Sequence, residues 1–283
     1  MSNTIKLKRG TSTPSTSDIA NGEVAIDTSA KKLYVNDSGT VKEIGGGGGA
    51  IASDAQGNTI GGTGAGEDFS GTSPDNNTLF GKNAGSSITN SEDNVAFGMD
   101  ALRDNTTGNG NCAFGMNALE EMSGGWANVA VGQNALSSGG SKTGNIAMGY
   151  LSGHGIKGDY NVSLGFEALK GNQSYPCDYS VGVGYKALVI ARGDANVGVG
   201  KNAGVSVTSG HSNTIVGGAA GDALTTGSNN LILGYNSAAS AVDISNEITL
   251  GDTNITKFRV PGLNFSIKDS TATDNYVLTV DAN

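Results

Sequence analysis

The side chains in this sequence that could do chemistry are few, and their spacing gathers almost none of them. Two carboxylates flanking a glycosidic bond can hydrolyse it, and here Glu120 and Glu121 adjoin while Asp159, Asp178 and Asp194 fall in successive spacers. In a chain with 26 acidic and 17 basic residues such acids read as solvated surface, and no catalytic residue is assigned. His154 and His211 are the only histidines; no ligand cluster surrounds either, so no zinc site is expected. The run G-G-T-G-A-G-E-D from Gly61 to Asp68 has the composition of a calcium loop without the regular nonapeptide period that such loops need. No metal is expected. The G-x-G triplets precede strands rather than a helix, so no phosphate loop and no cofactor is implied. Cys112 is placed at a core position and Cys177 in a spacer, and the two read as reduced thiols. What remains is recognition. Trp126 is the only tryptophan, and Tyr175 and Tyr179 sit in the longest spacer. Aromatic faces on exposed loops suit sugar rings; the competing reading packs them over neighbouring loops or against the edge of an oligomer.

These residues hang on a repeat. From Asn94 the chain reads N-V-A-F-G-M-D-A-L, from Asn111 N-C-A-F-G-M-N-A-L, and from Asn128 N-V-A-V-G-Q-N-A-L. The same frame starts at Asn58, Asn77, Asn145, Asn161, Ser180, Asn196, Asn213, Asn230 and, degraded, at Glu247, giving twelve units with steps of sixteen to nineteen residues. Glycine occupies the fourth place after the start in all twelve. A fixed period of this length marks a solenoid. Each unit carries a short β-branched and apolar run bounded by Asn and Gly, which predicts a short strand with a turn at each end. Seventeen residues leave no room for an ordinary helix as well. One coil per unit, with parallel strands stacked about 4.8 Å apart, gives a rod on the order of 55 Å long. The repeated Asn fits a ladder of stacked amides or an Asx turn, and the glycine fits positive φ or a close backbone approach.

Side chains alternate across a strand, so Val95 and Phe97 point one way and Ala96 the other. The sequence reading puts Ala96, Ala113, Ala130, Ala147, Ser163, Gly182 and Gly198 on the outer face. A small, uncharged outer row is explained if copies of the chain bury it. The expectation is therefore a parallel homotrimer around an axis lined by these residues, against a free-standing monomeric solenoid.

Only 36% of the 283 residues are hydrophobic and 46 are glycine, which speaks for many turns rather than a large globular interior. A net charge of −9 argues against nucleic acid as the main partner. No run has the length and apolarity of a membrane helix and no signal peptide opens the chain, so a soluble protein without membrane insertion is expected.

Residues 1–44 lack the repeat and read as a compact β module, with a hairpin turning at Asp37-Ser38-Gly39. Its K-L-K-R-G-T (Lys6–Thr11), G-E-V-A-I-D-T (Gly22–Thr28) and K-L-Y-V-N-D (Lys32–Asp37) resemble the N-terminal modules of bacteriophage tail fibres and of tropism-determinant receptor-binding proteins. The resemblance implies a trimeric, virion-proximal module that meets phage tail or adaptor proteins. Residues 45–57 form a Gly-rich linker, in which Gly45–Gly49 is either a flexible joint or a point where three chains pass close together. The shaft, residues 58–255, is similar to the N-x-A-x-G coils of marine and cyanobacterial phage fibres and, more distantly, to the heads of trimeric autotransporter adhesins. The longer period, with no coiled-coil stalk or anchor following, favours the phage family. Residues 256–283 break the frame, and two β segments around a Pro-Gly turn are expected to cap the last coil.

The expected protein is all-β: a small N-terminal β module, then a twelve-unit parallel β-solenoid or β-roll, trimeric. Its expected function is a non-enzymatic tail fibre acting at the host surface, with a glycan or other receptor as possible partner. The alternatives are a trimeric adhesin head and a glycan-cleaving tailspike.

Overall fold

A three-residue strand buries almost nothing alone, so strands this short persist only when a ladder runs through many of them. The computed structural model describes residues 8–20, 23–29, 32–38, 40–44, 52–69, 74–171, 176–257 and 259, and it has that form. It is all-β, with two sheets and no helix among the described residues. None is therefore long and apolar enough to cross a membrane.

The first sheet is the N-terminal module. Its strands are β1 (Lys8–Gly10), β2 (Val24–Asp27), β3 (Lys32–Asp37) and β4 (Thr40–Ile44), in spatial order β1-β2-β3-β4. β1 runs parallel to β2, and β2, β3 and β4 are antiparallel. The expected hairpin joins β3 to β4, with Ser38 at φ 53°. Leu33 stays exposed while Tyr34 and Asn36 are buried with Ile19, Ala25 and Asp27. Asn36 Nδ2 donates to Ile19 O at 2.8 Å, so this small core is closed by a polar clasp as well as by apolar contact. The glycine run 45–49 lies outside the described residues.

The second sheet is the solenoid. β5 (Ala52–Ser53) is antiparallel to β6 (Thr59–Gly61), and twelve strands from β6 to β17 (Ile248–Leu250) then stack in parallel, one per repeat unit. The sequence frame is the structural register: Val129 sits opposite Cys112 and Ile146, and Ala130 opposite Ala113 and Ala147. The chain divides after Asp252; residues 258 and 260–283, where the β cap is expected, lie outside the described residues.

The Asn column is a buried ladder of amides. Asn111 Oδ1 accepts the Asn128 backbone N–H at 3.0 Å and its Nδ2 at 2.9 Å, and Asn128 Nδ2 also reaches Lys142 O at 2.7 Å. The same triplet recurs from Asn77 to Asn230, interrupted at Ser180, whose hydroxyl accepts the Asn196 N–H at 3.1 Å. Each amide thus satisfies backbone groups of two coils that burial would otherwise strand, at a cost of about 1–3 kcal/mol for each group left open. Asp54 closes the N-terminal end, its carboxylate taking the Asn58 N–H and Nδ2. At the far end Glu247 turns its carboxylate to Ser240 and Thr249 instead of continuing the ladder.

The invariant glycine is required by contact as well as by φ. At Gly115 φ is 132°, and a Cβ would lie 2.7 Å from the backbone of Gly132 in the next coil. No other residue fits a column in which each coil touches the next with bare backbone.

The small-residue row is on the inside. Ala96, Ala113, Ala130, Ala147 and Ser163 are buried within the single chain, and ideal Cβ atoms on Gly182 and Gly198 would strike Leu169 and Leu188 at 2.8 and 2.6 Å. The expected outer face is therefore corrected. The coil is a thin roll whose opposite wall presses against the strand, and the two walls exchange bulk. Where the residue eight places after the start is Leu102, Leu119, Leu136, Leu169 or Leu188, the strand centre is Ala, Ser or Gly. Where it is Gly66, Gly85 or Gly221, the strand centre is Ile60, Leu79 or Ile215, whose methyl groups come within 3.3 Å of an ideal Cβ on that glycine. In the units from Asn145 and Asn196 both are small, and side chains of adjacent coils lean in, Leu136 toward Gly153 and Leu188 and Ile215 toward Gly204. Close packing, which tolerates neither void nor overlap, fixes the pairing.

Candidate functional site

Two surfaces of the solenoid remain for function: the outward face of the sheet and the rim that leads into each strand. The first and third residues of each strand point outward, and from β6 to β17 these twenty-four positions carry no charge. Phe97 is 37% exposed, Phe114 40% and Met148 48%. Phe80, Phe97 and Phe114 form a parallel stack with centroids 5.0 Å apart. Beside the strands, Tyr150, Phe166 and Tyr185 stack at 5.3 Å, with Lys186 Nζ 5.4 Å from the Tyr185 ring and 3.4 Å from Glu167. A strip about 55 Å long and roughly 12 Å wide presents on the order of 700 Å². That exceeds the apolar patches of ordinary monomers and approaches one side of a standard protein interface. Cys112 lies on this face, half-buried rather than in the core, with its thiol pKa raised by burial. The buried thiol is Cys177, pushed up to about 11 by desolvation.

The rim holds the recognition candidates. Trp126 is 57% and Tyr179 63% exposed, but they stand three rungs apart, roughly 14 Å along the axis, linked through the backbone bonds Gly144 N to Trp126 O, Tyr160 N to Thr143 O and Tyr179 N to Asp159 O. Tyr175 lies outside the described residues. The partner of Tyr179 is Tyr160, with centroids 5.5 Å apart and planes within 9°. Sequence reading missed Tyr160, although it precedes Asn161 as Tyr179 precedes Ser180, so the frame itself carried the signal.

The carboxylates are mostly engaged in holding coils together. Asp178 Oδ1 accepts the Asp159 N–H at 2.7 Å, and Asp194 Oδ1 accepts the Asp178 N–H at 2.9 Å. Arg103 bridges Asp104 in its own coil and Glu120 in the next; burial raises the Glu120 pKa and Arg103 counters it. Glu121 accepts from Ser138 Oγ at 2.9 Å. His154 is half-buried, its pKa lowered by burial and then by Lys170 and Lys142, and His211 is exposed in a separate coil. Among the described residues no group of three His, Cys, Asp or Glu side chains could hold a metal ion. A cavity of about 350 Å³ on the N-terminal module, lined by Lys8, Arg9, Ser12, Pro14, Asp18 and Ile19 among others, has Lys8 held by Glu23 and by Asp18 O.

Sequence reading also missed Lys142, the largest fully buried side chain among the described residues. Its coil has Gly139 where neighbouring coils carry Met122 and Ile156, and the Lys142 stem fills that gap. Nζ lies 3.1 Å from an ideal Gly139 Cβ and donates to Ser138 O at 2.5 Å. Burial lowers its pKa to about 7, only partly offset by Glu121. The signal was a glycine at a plug position. Comparison with known proteins adds no name to this geometry: no family model, no curated protein and no solved structure matches the chain.

Proposed function

We propose that this chain is the shaft of a tail fibre of a tailed bacteriophage, a parallel homotrimer in which the outward faces of three solenoids cover one another. The observation that carries this reading is the unbroken uncharged face along all twelve parallel strands. A partner must match that face in length, apolarity and a rise of about 4.8 Å per coil, and a second copy of the chain matches on all three counts. The interface belongs to the Val95 and Phe97 columns and not to the alanine row. The N-terminal motifs that resemble phage fibre modules give the attached end, and residues 1–44 would meet the tail or an adaptor.

The shaft spaces and presents; it does not cleave. Supporting this, the Glu120, Glu121, Asp159 and Asp178 carboxylates serve contacts between coils. Contact with the host surface would be weak at each site and strengthened by repetition over three chains. An antibody raised against the purified chain should label the tails of particles that carry its gene and slow their adsorption. Unlabelled tails would remove the virion assignment and leave the adhesin-head alternative.

A further inference from the structure

Among the described residues the Tyr160–Tyr179 stack ends in an open ring face, and we propose that this face, above Ala195 and beside Asp178 and Asp194, binds a neutral pyranose. The idea rests on the fibre reading only for its biological purpose, since the geometry belongs to a single chain. The residue before the start of each unit has a left-handed backbone, as at Asn76, Asp93, Asn229 and Asn246. Asn, Asp and Gly adopt it readily, whereas bulky side chains do so at a cost of about 1 kcal/mol. Tyr160 at φ 58° and Tyr179 at φ 56° are placed there against that preference, and Ala195 and Ser212 show that the coil does not need a ring.

The two rings have different surroundings. Tyr160 lies flat on Gly144, where a Cβ would be 2.6 Å from the ring, and its other face meets Tyr179. It is a pedestal. Tyr179 has one face on Tyr160, and its other face looks toward the next rung, where Ala195 is too small to cover a phenol. From Tyr179 to Ser212 is two rungs, roughly 10 Å, which admits one sugar ring lying flat with its C–H bonds against the aromatic face. Asp178 and Asp194 each give one oxygen to a backbone N–H, leaving the other to accept sugar hydroxyls. Exposed Ser212 and His211, with Nδ1 and Oγ 3.3 Å apart, close the far side. The carboxylates of Asp159, Asp178 and Asp194, each accepting a backbone N–H of the rung before, repel uronic and sialic acids, so the ligand is uncharged.

The test is saturation-transfer NMR on the full chain with the methyl glycosides of glucose, galactose, mannose and N-acetylglucosamine, and methyl glucuronide as the charged control. Transfer to the ring protons of at least one neutral glycoside is expected, at least fivefold weaker to the glucuronide. Tyr179→Asn, which installs the residue found at Asn229, should abolish it, and Tyr235→Ala, at an exposed ring in the unit from Asn230, should leave it unchanged. The proposal is overturned by no transfer to any of the four, by transfer that survives Tyr179→Asn, by loss in Tyr235→Ala, or by equal transfer to the glucuronide. Light scattering on the same sample separates the two claims: a monomer that still binds sugar refutes the trimer alone, and a trimer that binds none refutes this site alone.

Discussion

The two faces of one strand answer to different constraints. The inward face of the sheet is ruled by the opposite wall of the same coil, so Ala96 is small because Leu102 is large, and Leu79 is large because Gly85 is small. The outward face accepts Gly, Thr, Val, Cys, Ile, Leu, Phe and Met in the same columns and carries no charge. Reciprocal size marks an interior that packs against itself; uniform apolarity with free size marks a surface waiting for another chain. A small residue is therefore no sign of an axis.

The largest effect should come from the bare-backbone column. Gly115→Ala combines a positive φ that Ala resists with a 2.7 Å contact to Gly132 and should cost about 4 kcal/mol, read by denaturant unfolding. The inward face is probed by a swap. Leu79→Ala should cost about 3 kcal/mol by opening a cavity, and Gly85→Leu about 2 kcal/mol by overpacking. The double variant reproduces the Ala96–Leu102 arrangement and should recover at least half of the summed loss; simple additivity would contradict reciprocal packing.

Lys142 gives a smaller, pH-dependent effect. Its pKa falls from 10.5 unfolded to about 7 folded, so between those values the unfolded chain binds more protons and stability rises with pH. The penalty is complete below pH 7 and vanishes above 10.5. Cys177, raised from 9.0 to about 11, works the opposite way above pH 9, so the clean window is pH 7 to 9. There the wild type should gain on the order of 2 kcal/mol. Lys142→Met should flatten that rise, being more stable than wild type at pH 6 by a margin that shrinks, without closing, as the pH reaches 9. A rise unchanged by the substitution would show that another group titrates.

Much of this was legible in the sequence. The period and its Asn and Gly columns gave strand positions, parallel order and register without error, because each column records one repeated contact. Which face of a three-residue strand is inside was not legible from Ala96 alone. Alternation separates two faces without saying which is buried, and the answer lay in the distant partner, Leu102. The hidden Lys142 was missed for a related reason: a lysine is read as surface unless the glycine whose space it fills, Gly139, is noticed first. The aromatic rim was half found, through Trp126 and Tyr179, and Tyr160 was overlooked because it lies outside the longest spacer.

The most direct test of the account is the solution mass of the purified chain beside a Phe97→Glu, Phe114→Glu variant. One chain is 28.3 kDa, and the wild type should scatter as a trimer near 85 kDa (3 × 28.3). Charges placed on the outward face should leave the coil folded by circular dichroism and reduce the mass to that of one chain. A wild-type monomer, or a variant that stays trimeric, would contradict the assignment of that face as the place where chains meet.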